Sequence, residues 1–235
     1  MVNPVNTLQL DGPEVLSPNS DVSQMGLSHT RARIYWHLAA KRAMDIVISA
    51  SALVILAPVL LTVCLLIKLE SRGPVCFRQN RWGKDCALIR IYKFRSMYVD
   101  QCDHSGVAQT VQNDPRITRV GRVIRRLNID ELPQLLNVLK GDMSLVGPRC
   151  HAVGMLAAGI PYEELVPNYN DRHAMRPGMT GLAQMRGLRG PTDRASKARA
   201  RIACDLHYVQ NFSLWMDISI MAGTVYSELK GGNGF

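Results

Sequence analysis

The longest apolar run of the chain lies in its N-terminal third. From Ile46 to Ile67 no residue is charged, and the run reaches the roughly 20 residues that a membrane helix needs. A buried core helix is the alternative, although so long an uninterrupted run is unusual in a soluble domain. The pattern therefore predicts a helix in contact with a membrane.

Basic residues flank this run on both sides, which predicts that both of its ends stay in the cytoplasm. Pro58 stands near its middle and can bend the helix at Ala57, because proline removes a backbone donor and clashes with the preceding turn. The sequence thus favours a re-entrant helix, with an ordinary kinked span as the alternative. The flanking basic residues are Arg31, Arg33, Lys41 and Arg42 before the run and Lys68, Arg72, Arg78, Arg81 and Lys84 after it.

Shorter patterns after the apolar run predict two strands followed by two helices. The strands are expected at Val75 to Gln79 and at Ala87 to Phe94, with a glycine-containing turn between them. Apolar residues at helical spacing predict a helix from Ile117 to Leu127. A second helix is expected to begin at Asp130, as its N-cap, and to end at Gly141.

The two ends of the chain carry weaker signals. Residues 1 to about 30 are polar and rich in proline, which predicts a flexible leader. Residues 176–191 hold many glycines and two prolines, which predicts a loop. Residues 192–210 are predicted to form a helix, and its basic side either faces water or lies on an anionic membrane surface. That side carries Arg194, Lys197 and Arg201.

Composition narrows the range of partners. The 235 residues are 47% hydrophobic, enough for a core. Lys and Arg number 28 against 19 Asp and Glu, so the net charge of +9 favours an anionic partner such as phosphate, nucleic acid or an acidic membrane leaflet. The six cysteines form no Cys-x-x-Cys pair, so neither a zinc site nor a disulfide framework is expected.

The densest group of reactive side chains is the Asp130-Glu131 pair with its neighbouring arginines. A carboxylate at a helix start feels the positive end of the helix dipole, so Asp130 is expected to stay ionised and able to attack phosphorus. Glu131 could hold Mg²⁺, and Arg125 or Arg149 could bind a phosphate in bidentate fashion. The alternative is that both acidic residues are simple helix caps.

Several motifs occur in the order found in one protein family. The most specific are Asp130-Glu131-Leu132-Pro133-Gln134-Leu135, Met143-Ser144-Leu145-Val146-Gly147-Pro148-Arg149 and Arg176-Pro177-Gly178-Met179-Thr180-Gly181, and they follow Lys41-Arg42 with Asp45, Gly73-Pro74-Val75, Lys93-Phe94-Arg95-Ser96-Met97 and Asp114-Pro115-Arg116. Over about residues 38 to 230 the chain resembles the bacterial sugar transferases, the monotopic polyprenyl-phosphate phosphoglycosyl transferases.

The resemblance implies a fold and a location. Residues 38–72 would form a re-entrant membrane helix broken at Pro58, and residues 73–230 a small cytoplasmic α/β catalytic domain with amphipathic helices at the interface. The expected location is the cytoplasmic face of the bacterial inner membrane. The oligomeric state stays open, with a homodimer as one arrangement.

The resemblance also implies a reaction. Asp130 would attack the β-phosphate of a UDP-sugar to give a phosphosugar-enzyme and UMP, and undecaprenyl phosphate would then accept the phosphosugar, galactose or glucose being the sugar considered. Glu131 would be the Mg²⁺ ligand. The positions matching phosphate- and nucleotide-binding residues are Arg125, Pro148, Arg149 and Arg176.

Three departures from the family pattern stand out: Asn128 replaces Ser or Thr, Cys150 replaces Pro, and Ala57 replaces Ser. None of them removes a reacting group. No nucleic-acid partner is expected. The main alternative is a non-enzymatic membrane-anchored scaffold with a basic surface, and a third possibility is a membrane-anchored, metal-dependent phosphohydrolase.

Overall fold

The computed structural model describes residues 20–102 and 114–230, with the backbone alone described for residues 20–35 and residue 229. The chain divides into two compact units, Met1–Leu38 and Ala39–Phe235. The predicted leader lies outside the described residues up to residue 19. From Ser20 the backbone is helical, because no proline interrupts the chain between Pro18 and Pro58.

The first helix, α1, runs from Ser20 to Glu70 with Pro58 inside it. Its segment Trp36–Glu70 is long and apolar enough to cross a membrane by length and composition, and only 11% of its most apolar window is buried. The buried core helix considered above is therefore wrong, and the exposed apolar surface fits membrane contact. The helix continues through Pro58 without interruption, so the re-entrant path stays a prediction.

The basic residues before the apolar run are not simple exposed flanks. Lys41 is buried and donates to the carbonyl of Val146 at 2.9 Å. Arg42 donates to the carbonyls of Val138 and Leu139 at 2.5 and 2.8 Å. Lys41 and Arg42 thus also make contacts within the folded domain, and the cytoplasmic placement of both ends of the apolar run stays a prediction.

The two predicted strands form an antiparallel hairpin. Strand β1 spans Cys76–Trp82 and strand β2 spans Leu88–Phe94, with Cys76 opposite Phe94 and Trp82 opposite Leu88. Both strands are confirmed, although β1 continues past Gln79 to Trp82. The buried Asn137 binds β2 by accepting from the amide of Tyr92 at 2.9 Å and donating to the carbonyl of Arg90 at 2.8 Å.

Two short helices follow the hairpin. Helix α2, Arg119–Arg126, is capped by the Thr118 side chain, which accepts from the Gly121 amide at 2.9 Å. Helix α3, Gln134–Lys140, ends at Gly141, whose φ of 93° places it in the left-handed region. Both helices and the predicted end at Gly141 are confirmed.

Asp130 does not begin α3 as predicted. It lies in a 3₁₀ turn, Ile129–Glu131, which follows the left-handed Asn128, and the residue at the N-cap of α3 is Pro133. The prediction was wrong because Asn128 reverses the backbone at the end of α2, so the chain makes a separate turn before the helix starts.

The glycine-rich segment 176–191 is not a loop throughout. It contains strand β6, Gly178–Thr180, and helix α5, Leu182–Met185. Strand β3, Ser144–Val146, pairs with β6 in parallel. A β-carbon on Gly178 would lie 2.1 Å from the amide nitrogen of Gly147. The glycines therefore allow two backbones to pack closely, which the loop prediction missed.

The rest of the chain completes the core. A short hairpin, β4 (Leu156–Ala157) and β5 (Ile160–Pro161), precedes helix α4 (Tyr162–Leu165) and a 3₁₀ helix, Tyr169–Ala174. Helix α6, Ala195–Gln210, confirms the predicted helix and is followed by α7, Leu214–Leu229. The largest core cluster includes Val138, Met143, Val146, Tyr208 and Ile220. The mixture of helices and strands agrees with the predicted α/β class.

Candidate active site

A cavity of about 690 Å³ lies in this domain, and four of the candidate residues line it. Asp130 and Glu131 come from the 3₁₀ turn, Arg125 from the last turn of α2, and Arg149 from the segment after β3. Residues from three segments of the chain thus line one cavity. The volume falls within the range of small-molecule sites.

Glu131 is held by two cations. Arg149 donates to both of its oxygens, at 2.5 Å to Oε1 and 3.2 Å to Oε2, and the Lys93 ammonium lies 2.8 Å from Oε1. Burial alone would raise the pKa of this carboxyl, but Arg149 and Lys93 hold the pKa of Glu131 well below its ordinary value. Glu131 is therefore ionised and fixed in place at neutral pH.

Asp130 differs from its neighbour. It is 7% exposed, and burial together with the charge of Glu131 raises the pKa of Asp130 to about 6, although Lys93, Arg125 and Arg149 oppose the rise. The arginines lower this pKa, as the sequence indicated, but burial outweighs them. At neutral pH Asp130 is still mostly ionised.

Asp130 is also left unpaired by its surroundings. Among the described residues, no side chain forms an ion pair or a hydrogen bond with its carboxylate, whereas the adjacent Glu131 accepts three. A carboxylate without donors keeps its lone pairs available for a ligand or for attack on phosphorus. The two acidic residues therefore have different chemical environments one peptide bond apart.

Two predicted residues lie elsewhere. Arg176 and Pro148 are not among the residues that line the cavity. The Nε of Arg176 donates to the carbonyl of Gly141 at 2.9 Å, on the exposed side of the domain. Pro148 is buried and its carbonyl accepts from the amide of Gly178 at 2.9 Å. Their proposed binding roles stay predictions. The observed contact of Arg176 is with the end of α3, and that of Pro148 links the segment after β3 to β6.

The cavity also contains residues that the sequence did not single out as site residues. Lys93 is the last but one residue of β2. It belongs to the motif Lys93-Phe94-Arg95-Ser96-Met97, which was the only signal for it. Arg201 was assigned to a basic helix face, but its Nε donates to the carbonyl of Leu188 at 2.7 Å and the residue lines the cavity. The assignment of Arg201 to a solvated or membrane-bound face was therefore wrong.

The carboxylates fit a magnesium ion of the type that substrate phosphates help to hold. Such an ion needs one or two protein carboxylates and completes its shell with phosphate oxygens and water. The bonds from Arg149 and Lys93 leave Glu131 one acceptor position on Oε2, which a metal could use. The described residues contain no group of three or more His, Cys, Asp or Glu side chains placed to hold a metal.

Comparison with known proteins identifies the family. The model of the family described as "Bacterial sugar transferase" matches residues 36–231. The chain belongs to the bacterial sugar transferase family. It is therefore a transferase, which confirms the predicted enzyme class and excludes the non-enzymatic scaffold.

Members of the bacterial sugar transferase family with assigned names are closely similar to this chain. An exopolysaccharide production protein of Rhizobium leguminosarum bv. phaseoli is 71% identical over 198 residues, which are 84% of this chain and 99% of that protein. A UDP-glucose:undecaprenyl-phosphate glucose-1-phosphate transferase of Caulobacter vibrioides is 46% identical over 225 residues, 96% of this chain and 82% of that protein. An Escherichia coli protein of the same name is 48% identical over 186 residues, 79% of this chain but 39% of that protein.

Proposed function

We propose that this sugar transferase moves a sugar 1-phosphate from a UDP-sugar to undecaprenyl phosphate at the cytoplasmic face of the bacterial inner membrane. The observation that carries the proposal is Asp130, which is mostly ionised and has no paired side chain among the described residues, beside the Arg149-Glu131-Lys93 cluster in one cavity. Anionic substrates suit a cavity that is also lined by Arg81, Arg95, Arg116, Arg125, Arg189 and Arg201. The names of the Caulobacter and Escherichia relatives describe the same transfer with glucose.

In the first step, a carboxylate oxygen of Asp130 attacks the β-phosphorus of the UDP-sugar. The bond between the β-phosphorus and the oxygen bridging the two phosphates breaks, and its electron pair leaves with UMP. Arg149 and Arg125 are placed to bind the phosphate oxygens, and Lys93 and Arg149 keep Glu131 fixed next to the nucleophile. A bound Mg²⁺ would neutralise charge on the diphosphate.

In the second step, a phosphate oxygen of the lipid carrier attacks the same phosphorus. The bond between phosphorus and the Asp130 oxygen breaks, and the carboxylate is restored with its charge. The product is a lipid diphosphate sugar. Passing the phosphosugar through Asp130 lets one set of cations serve two displacements in turn.

The proposed sugar donor is UDP-glucose. UDP-glucose is the donor in the names of the Caulobacter and Escherichia relatives, so glucose is our first choice and galactose the second. The test is UMP release by detergent-purified protein with Mg²⁺, undecaprenyl phosphate and a panel of UDP-sugars. Sustained release that requires the lipid phosphate and one donor supports the transfer. Release of inorganic phosphate without lipid would instead indicate a phosphohydrolase.

The raised pKa of Asp130 predicts a pH dependence of the first step. Only the ionised carboxylate attacks, so the single-turnover rate without lipid should be constant above about pH 7 and fall about tenfold per unit below pH 6. Leaving out the lipid matters because its phosphate also titrates near pH 6. In Lys93→Met the fall in rate at low pH, the acid limb of the profile, should move to higher pH. The reason is that the charge of Lys93 opposes the rise in the pKa of Asp130 more than any other charge does. A limb near pH 4 in the wild type would contradict the buried environment of Asp130.

We also propose that both ends of the apolar part of α1 stay on the cytoplasmic side. Both ends of this run contact the part of the chain that follows it. At the N-terminal end Asp45 accepts from the Leu145 amide at 3.0 Å. At the C-terminal end Val63 and Ile67 pack on Phe94 and Ile124. Cysteines engineered near residues 35 and 75 should both be protected from a membrane-impermeant thiol reagent added to intact cells. Labelling of either from outside would exclude the re-entrant path.

A further inference from the structure

A carboxylate in the last turn of α7 joins two sides of the cavity. Glu228 accepts a hydrogen bond from the side-chain amide of Asn128 at 2.8 Å through Oε2, and its other oxygen is ion-paired with Arg189. All three residues line the cavity. None of them belongs to the site residues of the proposed mechanism.

Glu228 thus bridges Asn128 and Arg189. In this bridge, Asn128 directly precedes the turn that carries Asp130. Asn128 has φ 54° and ψ 17°, in the left-handed region, and the carbonyl of Asn128 accepts from the Glu131 amide at 3.3 Å. Asn adopts this conformation more readily than most residues, but it is still less favourable than the right-handed one. The hydrogen bond from its side chain to Glu228 thus holds the residue from which the turn Ile129–Glu131 starts.

The other partner of Glu228, Arg189, lies in a loop at the same cavity, residues 187–190. Arg189 lies between Gly187 and Gly190, whose φ angles are 75° and 76°, and its Nε donates to the carbonyl of Gln184 at 3.3 Å. A segment with two glycines in the left-handed region depends on side-chain contacts for its position. The ion pair with Glu228 supplies one of them.

The bridge contributes little to folding stability. The side chains of Arg189 and Glu228 are 21% and 31% exposed, and ion pairs that solvent reaches contribute little to folding stability. Its geometric consequence is larger, because a displacement of the nucleophile by about 1 Å can slow a reaction about 100-fold. The contacts are therefore placed to affect the reaction more than the fold.

We propose that Glu228 is a positioning residue of the transfer reaction, which holds the Asp130 turn through Asn128 and the loop at residues 187–190 through Arg189. This inference rests on the proposed function. The side-chain amide of Asn128 suits this role because it donates to Glu228 while its backbone adopts the left-handed conformation.

The test measures the first half-reaction of the full-length protein in detergent, with radiolabelled UDP-glucose and UDP-galactose and without lipid. We expect Glu228→Ala to slow single-turnover formation of the phosphosugar-enzyme about 10- to 100-fold, with the KM for the donor changed less than about threefold. Glu228→Gln, which keeps an acceptor for Asn128, should lose less than about threefold. Glu164→Ala, an exposed glutamate on α4, is the matched control and should be unchanged.

A double-mutant cycle isolates the contact between Asn128 and Glu228. Asn128→Gly keeps the left-handed backbone available and removes the amide, so it should slow the step about as much as Glu228→Ala. The double variant should be no slower than the slower single variant. Additive losses, an unchanged rate, or a loss matched by loss of folded protein in thermal unfolding would each overturn the inference. If the wild type forms no phosphosugar-enzyme with any UDP-sugar, the proposed function fails and the inference falls with it.

Discussion

Asp130→Asn is expected to slow sugar-phosphate transfer by at least about 1,000-fold. The amide has nearly the shape of the carboxylate but lacks the negative charge and the nucleophilic oxygen that attack phosphorus. Because Asp130 has no hydrogen-bonded partner among the described side chains, the substitution should disturb little else. Removing a negative charge next to the phosphates should leave the KM for the UDP-sugar unchanged or lower. The measurement is UMP release at saturating lipid phosphate.

Asp142→Asn is the matched control for this substitution. Asp142 bonds to Lys140 and Asn137 and is not among the residues that line the cavity. Its transfer rate should stay within about threefold of the wild type. If Asp130→Asn kept more than about a tenth of the activity, the carboxylate would be a structural residue of the turn and another group would have to be the nucleophile.

Lys41→Met is expected to have the largest effect on stability. Lys41 is ion-paired with Asp217 at 2.7 Å, and both side chains are almost fully buried, at 7% and 0% exposed. Breaking a buried pair leaves an uncompensated charge, which costs about 3–5 kcal/mol and should lower Tm by about 6–20 °C for a chain of this size. The hydroxyl of Tyr208, 2.7 Å from Asp217, can offset only part of the loss. Thermal unfolding in detergent measures the effect.

Two further variants separate charge from packing at this pair. Lys41→Met with Asp217→Leu removes both charges, and it should recover a large part of the lost stability because no unpaired ion remains. Arg199→Met, at an exposed position on α6, should leave Tm nearly unchanged. A fall of less than about 2 °C for Lys41→Met would show that water reaches Asp217 and that the pair is not buried in solution.

The local patterns of the chain predicted most of its secondary structure. Two short strand-like segments with a glycine-containing turn between them predicted the β1 and β2 hairpin, and Gly141 ended α3 as expected. These features depend on residues close in sequence. Such local signals are the ones a single sequence carries most clearly.

Most of the structural features that the sequence predicted wrongly or missed depend on contacts between residues far apart in the chain. The glycines of residues 176–191 indicated a loop, but Gly178 and Gly147 bring two backbones together in a parallel pair that no local pattern reveals. The sequence assigned Lys41 to the basic flank of the apolar run and could not show its buried partner Asp217, 176 residues away. Asp130 was taken as a helix cap because the turn formed by Asn128 has no strong sequence signature.

The candidate site was predicted in part. The resemblance indicated Asp130, Glu131, Arg125 and Arg149, and all four line one cavity. Sequence could not show that Glu131 is paired with Arg149 and Lys93 while no described side chain pairs with Asp130. That difference depends on where β2 and the segment after β3 meet the turn. Nor could it show that Arg176 lies outside the cavity. The electrostatic difference between the two carboxylates exists only in the folded protein.

The most direct test of the central claim is a single turnover without lipid, in which purified protein is mixed with Mg²⁺ and a UDP-sugar carrying a label in the sugar and then quenched. We expect about one phosphosugar per active enzyme, bound to the peptide that contains Asp130, and an equal amount of released UMP. The label should leave the protein when undecaprenyl phosphate is added. UMP release that occurs only with lipid, with no label on the protein at any time, would contradict it and indicate direct transfer between the two substrates.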